Sequence, residues 1–85
     1  MEKLTAAEKK WFKKVQSVLN ECPSKRIAFF TIGDNNIQAF NAERHDEISD
    51  FQDSGDHDFI TSVSKCEAGF NASLVFTNPV ESTAG

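Results

Sequence analysis

Arg26-Ile27-Ala28-Phe29-Phe30-Thr31-Ile32-Gly33-Asp34-Asn35-Asn36-Ile37-Gln38-Ala39-Phe40 is the stretch whose reading decides the fold. Its first half is rich in β-branched and aromatic residues, which suit a pleated and packed surface. Gly33-Asp34-Asn35-Asn36 is dense turn chemistry, because Gly and Asn adopt positive φ at low cost. Ile37-Gln38-Ala39-Phe40 reads as the return strand. The spacing predicts a β-hairpin over residues 26–41. Both alternating sets of the first strand carry apolar groups, the pattern of a strand covered on both faces. That pattern predicts that the first strand is central in its sheet.

On the N-terminal side, Thr5-Ala6-Ala7-Glu8 is a capping box: the Thr5 hydroxyl accepts from the Glu8 N–H while the Glu8 side chain reaches back. Leu4, Trp11, Phe12, Val15, Val18, Leu19 and Cys22 follow at helical spacing and fall in one arc of about 120°. Lys3, Lys9, Lys10, Lys13 and Lys14 lie on the opposite side. Pro23 disfavours helical geometry at Cys22 and ends the element. The pattern predicts an amphipathic helix over residues 5–21.

On the C-terminal side the chain turns acidic. Residues 43–58 hold seven carboxylates and one Arg44 in sixteen positions. A short helix from His45 to Asp53 would bury Ile48 and Phe51. After Ser54-Gly55, Asp56 or Asp58 can cap a second helical stretch through about Cys66, with Gly69 as its stop. A strand from Phe59 to Ser64 is the alternative. Phe70, Ala72, Leu74 and Phe76 alternate with Asn71, Ser73, Val75 and Thr77, which predicts a third, half-buried strand over 70–77, closed by Asn78-Pro79. Residues 81–85 have little to bury, and fraying is expected there.

These elements assemble into one α+β domain over residues 1–85. In the expected two-layer arrangement, the N-terminal helix packs on a three-stranded antiparallel sheet. A right-handed crossover would set the third strand parallel to the second and beside the first. Eighty-five residues are one domain's worth of chain. Eight Phe and one Trp supply the large apolar area that so small a core needs. Two cysteines, Cys22 and Cys66, are too few for a disulfide framework and lack metal-ligand spacing. They read as free thiols, with a single disulfide as the alternative. The opening residues are charged and lead into no apolar stretch of signal-peptide type. No apolar run approaches the roughly 20 residues that span a bilayer. The sequon at Asn71-Ala72-Ser73 then reads as a coincidence.

The formal net charge is −4. Residues 1–26 carry seven Lys/Arg against three Glu, and residues 27–85 carry two basic against ten acidic residues. A chain basic at the front and acidic behind points to two separate charged surfaces.

Leu19-Asn20-Glu21-Cys22-Pro23-Ser24-Lys25-Arg26, running into Phe30-Thr31-Ile32-Gly33-Asp34-Asn35, resembles a group of short uncharacterised proteins of lambda-like temperate phages and prophages of enteric bacteria. The closing Val80-Glu81-Ser82-Thr83-Ala84-Gly85 is similar to the same group's tail. The resemblance implies a phage gene expressed in bacterial cytoplasm, and it assigns no catalytic residue. Small phage accessory proteins as a class often act by binding a host protein.

Five constellations carry the functional expectations. The acidic set Glu43, Asp46, Glu47, Asp50, Asp53, Asp56 and Asp58 suits a basic partner, since single-sign patches steer association. A plain solvated loop is its bland reading. Asp50, Gln52, Ser54, Gly55, Asp56 and Asp58 partly match a calcium loop, but Thr61 stands where a bidentate Glu is required. His45 and His57 lie among these acids, yet with Cys22 and Cys66 they form no known ligand pattern. Lys9, Lys10, Lys13 and Lys14 could track phosphates, while Trp11 and Phe12, expected in the core, would offer no base-stacking platform. Phe30, Ile32 and Val75 are expected to line a sheet face that the helices leave open, hence an interface for a homodimer or a partner. There is no nucleophile elbow and no P-loop.

The expectation is therefore a non-enzymatic interaction protein without cofactor or metal, whose partner is a host protein. A nucleic-acid-associated protein using the lysine face is the first alternative, and a metal-dependent enzyme around His45, His57 and the Asp cluster is the second.

Overall fold

The computed structural model describes residues 2–83. The first element, α1, is an α-helix at Ala6–Asn20. Its capping box forms as the sequence predicts: the Glu8 N–H donates to Thr5 Oγ1 at 3.2 Å, and the Thr5 N–H donates to Glu8 Oε1 at 2.7 Å. The hairpin follows as β1, Ile27–Phe30, and β2, Asn36–Asn41, with Gly33 at φ +89° in the turn. Ala42–Arg44 is a 3₁₀ turn. Two helices come next, α2 at His45–Gly55 and α3 at Phe59–Lys65, and then β3 at Gly69–Val75. The chain is α+β, with an N-terminal helix and a three-stranded antiparallel sheet. The stretch 59–65 is helix, not strand. Glu81–Thr83 carry no regular structure, and the last two residues of the tail expected to fray lie outside the described residues.

The strand order is β1-β2-β3, so the second strand is central and the first is an edge. This corrects the expectation of a central first strand. The cause is the α2–α3 pair. It leaves the end of β2 and returns to the same end, where the Asn41 N–H donates to the Ala68 carbonyl at 2.8 Å and Phe40 sits opposite Gly69. A chain that returns to its point of departure runs back antiparallel to β2 instead of crossing over. The two apolar faces of β1 are real, but they report which sides of the sheet its side chains occupy, not how many strands flank it.

The core lies between α2–α3 and one face of the sheet. Phe40, Ile48, Val63 and Ala68 are buried, with Ala28, Phe30, Phe59 and Cys66 packed against them. Ile48 of α2 is wholly enclosed. Phe30, Phe40 and Phe59 meet edge to face in a triangle with centroids 5.2–5.9 Å apart. Such pairs contribute about 0.5–1.5 kcal/mol each beyond their buried area.

The end of α3 is fixed earlier than Gly69. Glu67 takes a left-handed φ of 54°. Its N–H donates to the Ser64 carbonyl, and the Ala68 N–H donates to the Val63 carbonyl at 3.0 Å. That is a Schellman motif, and its usual apolar contact is supplied by the buried pair Val63 and Ala68.

The helix α1 does not pack on the sheet. None of its residues is buried, and Trp11 and Phe12 are each 54% exposed. The two-layer expectation therefore holds for α2 and α3, not for α1. The radius of gyration is 16.0 Å, whereas a packed domain of this length has about 12 Å. Helical spacing correctly marks α1 as amphipathic, but it does not say which surface its apolar stripe meets.

Candidate interaction surfaces

Three surfaces emerge. The first is the outer line of α2. Ile48 points into the core, so positions diametrically opposed to it face solvent. Asp46, Asp50 and Asp53 stand at i, i+4 and i+7, within about 60° of one another around the helix. All three are exposed. Among the described residues the one ion pair is Arg44 with Glu47, so none of the stripe's three carboxylates is ion-paired there.

The other predicted acidic residues have separate tasks or positions. Glu43 lies in the 3₁₀ turn, where its N–H donates to Asn41 Oδ1 at 3.0 Å. Glu47 is held by Arg44, which also donates to the Glu67 carbonyl at 3.1 Å. Asp56 ends α2 in the left-handed conformation, with φ 57°. Asp58 is the N-cap of α3, accepting from the Thr61 N–H at 2.8 Å. Hydrogen bonding from Thr61, first its side chain and then its N–H, holds the Asp58 carboxyl below the usual carboxylate range, with the nearby His57 acting in the same direction. Seven residues that form one acidic run in the sequence thus divide into a three-residue stripe, one ion-paired Glu, two helix-terminal residues and one turn residue.

The segment compared with a calcium loop is helical through Gly55, which disperses its oxygens around α2. His57 stacks on Phe51, centroids 4.5 Å apart, and His45 opens α2 on the surface. No group of three or more His, Cys, Asp or Glu converges among the described residues. Cys22 and Cys66 are both free thiols. Burial, then the charge of Glu47 and hydrogen bonding to its side chain, push the Cys66 thiol up.

The second surface is the sheet face turned away from α2 and α3. Ile27 and Phe29 of β1, Ala39 of β2, and Phe70, Ala72 and Leu74 of β3 line a shallow apolar groove of about 260 Å³ there, with Cys22 and Arg26 at its rim. Arg26 lies over the Phe70 ring, 4.7 Å from its centroid. Phe29 and Leu74 remain 45% and 46% exposed. An open sheet face is therefore present, but its residues are not those expected. Phe30 belongs to the aromatic triangle on the opposite side, because alternation sends Ala28 and Phe30 towards the helices. Ile32 is exposed beyond the end of β1, and Val75 is exposed at the last position of β3.

On the helix side, a second cleft of about 520 Å³ runs between α3 and β3, past Asn36, Gln38, Ser64 and Asn71. Asn36 Oδ1 is buried in this region without a hydrogen-bond donor.

The third surface is α1. Lys9, Lys10, Lys13 and Lys14 occupy its wet side. Leu4, Trp11, Phe12, Val15, Val18 and Leu19, expected to be core, are exposed as well. Trp11 and Phe12 meet each other edge to face at 5.1 Å. Their exposure removes the reason for denying this helix a stacking platform.

No helix among the described residues is long and apolar enough to cross a membrane. No family model, curated protein or solved structure matches the chain. The likeness to phage proteins accordingly stands on the quoted residues alone.

Proposed function

We propose that this chain is a non-enzymatic interaction protein, a phage or prophage accessory factor that binds and modulates a basic host protein through the outer face of α2. The observation that carries this reading is the line of Asp46, Asp50 and Asp53, none of them ion-paired among the described residues. Three carboxylates on one rigid helix line give a directional negative field, which speeds encounter with a positive patch and penalises acidic partners. The rigidity comes from Ile48, whose complete burial fixes the helix against the core.

The test is affinity capture from bacterial lysate, before and after nuclease treatment, with the triple variant Asp46→Asn, Asp50→Asn, Asp53→Asn as comparison. Asp56 and Asp58 stay intact because they terminate helices. A nuclease-resistant partner captured by the parent chain and lost by the variant supports the acidic face. Equal capture by both chains removes it.

A second reading places nucleic acid on the lysine side of α1. The exposure of Trp11 and Phe12 on the same helix as Lys9, Lys10, Lys13 and Lys14 favours it, since bases stack on aromatic rings while lysines follow the backbone. A salt-sensitive gel shift abolished by replacing the four lysines with Ala distinguishes this reading from the first.

A further inference from the structure

We infer that the exposed stripe of α1 is built to cover the outer sheet groove of a second copy of this chain, giving a reciprocal helix-exchanged dimer. Two apolar surfaces lie uncovered among the described residues. One is the stripe of Trp11, Phe12, Val15, Val18 and Leu19. The other is the groove of Ile27, Phe29, Phe70 and Leu74. Each has the shape the other lacks: a ridge about 120° wide on a helix, and a shallow trough across three twisted strands.

The amount of uncovered surface indicates a second copy. The chain exposes 7168 Å². A folded monomer of 9.5 kDa exposes about 5,000 Å², so the excess is about 2,000 Å² per chain. Stable interfaces remove about 800 Å² from each partner, and obligate homodimers about 1,000 Å² or more. Seating α1 on a neighbour accounts for an interface of that order, counted twice by symmetry.

The connection between α1 and β1 favours exchange over folding back. The Glu21 N–H donates to the Val18 carbonyl, the Cys22 N–H to the Leu19 carbonyl, and the Arg26 N–H to Ser24 Oγ at 3.2 Å. Pro23 sits between them. This short, internally bonded turn starts at the groove's own rim, where Cys22 lies, and sends a helix of 15 residues away from the sheet. Laying that stripe into its own groove means reorienting this bonded turn, whereas a second copy can bring its groove to the stripe. Exchange of one terminal element is a low-cost route to a symmetric dimer. The docked helix keeps its lysines in water, and the Asp46–Asp50–Asp53 line plays no part in the contact.

The experiment is sedimentation of the full chain over a wide concentration range, together with Val18→Glu on α1 and Phe29→Asp on the sheet. Both side chains are exposed in the single chain, so circular dichroism is expected to report folded variants. The parent chain dimerises, and each variant, one on the helix and one on the groove, weakens dimerisation by at least about tenfold. Trp11 fluorescence of the parent chain shifts to the blue as concentration rises. A parent chain that stays monomeric, a dimer indifferent to Phe29→Asp, or a dimer indifferent to Val18→Glu overturns the inference.

Discussion

Phe30 of β1 meets Phe59 of α3 edge to face, their ring centroids 5.5 Å apart at an interplanar angle of 65°. This contact ties an edge strand to a helix almost thirty positions further along the chain, and it decides which side of the hairpin is inside. With Phe30 facing α3, Ala28 must face it too, and Ile27 and Phe29 are left on the far side. The open groove is the direct consequence.

The aromatic triangle predicts where stability resides. Phe40 touches both other rings and is 6% exposed. Phe40→Ala is expected to lower the unfolding free energy by about 3–5 kcal/mol, the range for a buried Phe that leaves a cavity. In an 85-residue chain that is a large share of the whole. Urea denaturation measures it, and a loss below about 1 kcal/mol would contradict the core described above.

Much of this is legible in the sequence, and what is not has one cause. Thr5 and Glu8 mark the start of α1 because a capping box is a local contract between neighbours. Gly33 to Asn36 mark the hairpin for the same reason. Asp58 marks α3, since an N-cap serves the next few residues. Strand order, the seat of α1 and the face of Phe30 depend on pairings between distant residues. Apolar periodicity reports that a side chain is to be covered, without naming the cover. The acidic run is visible as composition. Its division into a stripe at Asp46, Asp50 and Asp53 and terminal residues at Asp56 and Asp58 requires the helix bounds.

Asp58 makes the stability of α3 dependent on pH. Its folded carboxyl titrates below the unfolded value, chiefly because Thr61 hydrogen-bonds to it. A group depressed on folding contributes stability above its unfolded pKa and loses it as pH falls through the folded one. The cap is therefore complete at neutral pH and fails in acid. Asp58→Ala is expected to lower the melting temperature at pH 7 and to flatten its decline below about pH 4. A variant whose acid decline matches the parent's removes Asp58 as its source.

Glu67 predicts a stabilising change. A side-chain-bearing residue in the left-handed region costs roughly 1–2 kcal/mol, and Gly adopts it freely at an unfolded-state entropy cost of about 0.5–1 kcal/mol. Glu67→Gly keeps both backbone hydrogen bonds of the Schellman motif and the Arg44 contact to its carbonyl. A gain of a few tenths to about 1 kcal/mol is expected from thermal or urea unfolding. Glu67→Val, β-branched at the same φ, is expected to destabilise.

The two thiols should separate by reactivity. Cys22 is exposed at the groove rim, whereas Cys66 packs against the core and burial raises its thiol above the ordinary value. The thiolate is the reactive species. Iodoacetamide at neutral pH is expected to label Cys22 well before Cys66, read peptide by peptide in a mass spectrometer. Equal rates would place Cys66 outside the core.

The acidic line on α2 should cost stability while serving recognition. Asp46 and Asp50 are i,i+4 neighbours, and Asp50 and Asp53 are i,i+3 neighbours. Like charges at these spacings destabilise a helix by about 0.2–0.5 kcal/mol per pair. Asp46 recovers part of this because it lies in the first turn, where a negative charge favours the helix dipole. Asp53 lies near the other end, where the dipole opposes it. Asp53→Lys is therefore expected to stabilise the chain by about 0.3–1 kcal/mol in low salt, and Asp50→Asn by less. Both gains should shrink in high salt, where charge interactions reach only a few ångströms. The same substitutions are expected to weaken capture of the basic partner. A variant that is more stable and binds less well marks a surface kept for recognition. A variant that is more stable and binds as before marks α2 as a solvated face, and the partner must then be sought on another surface.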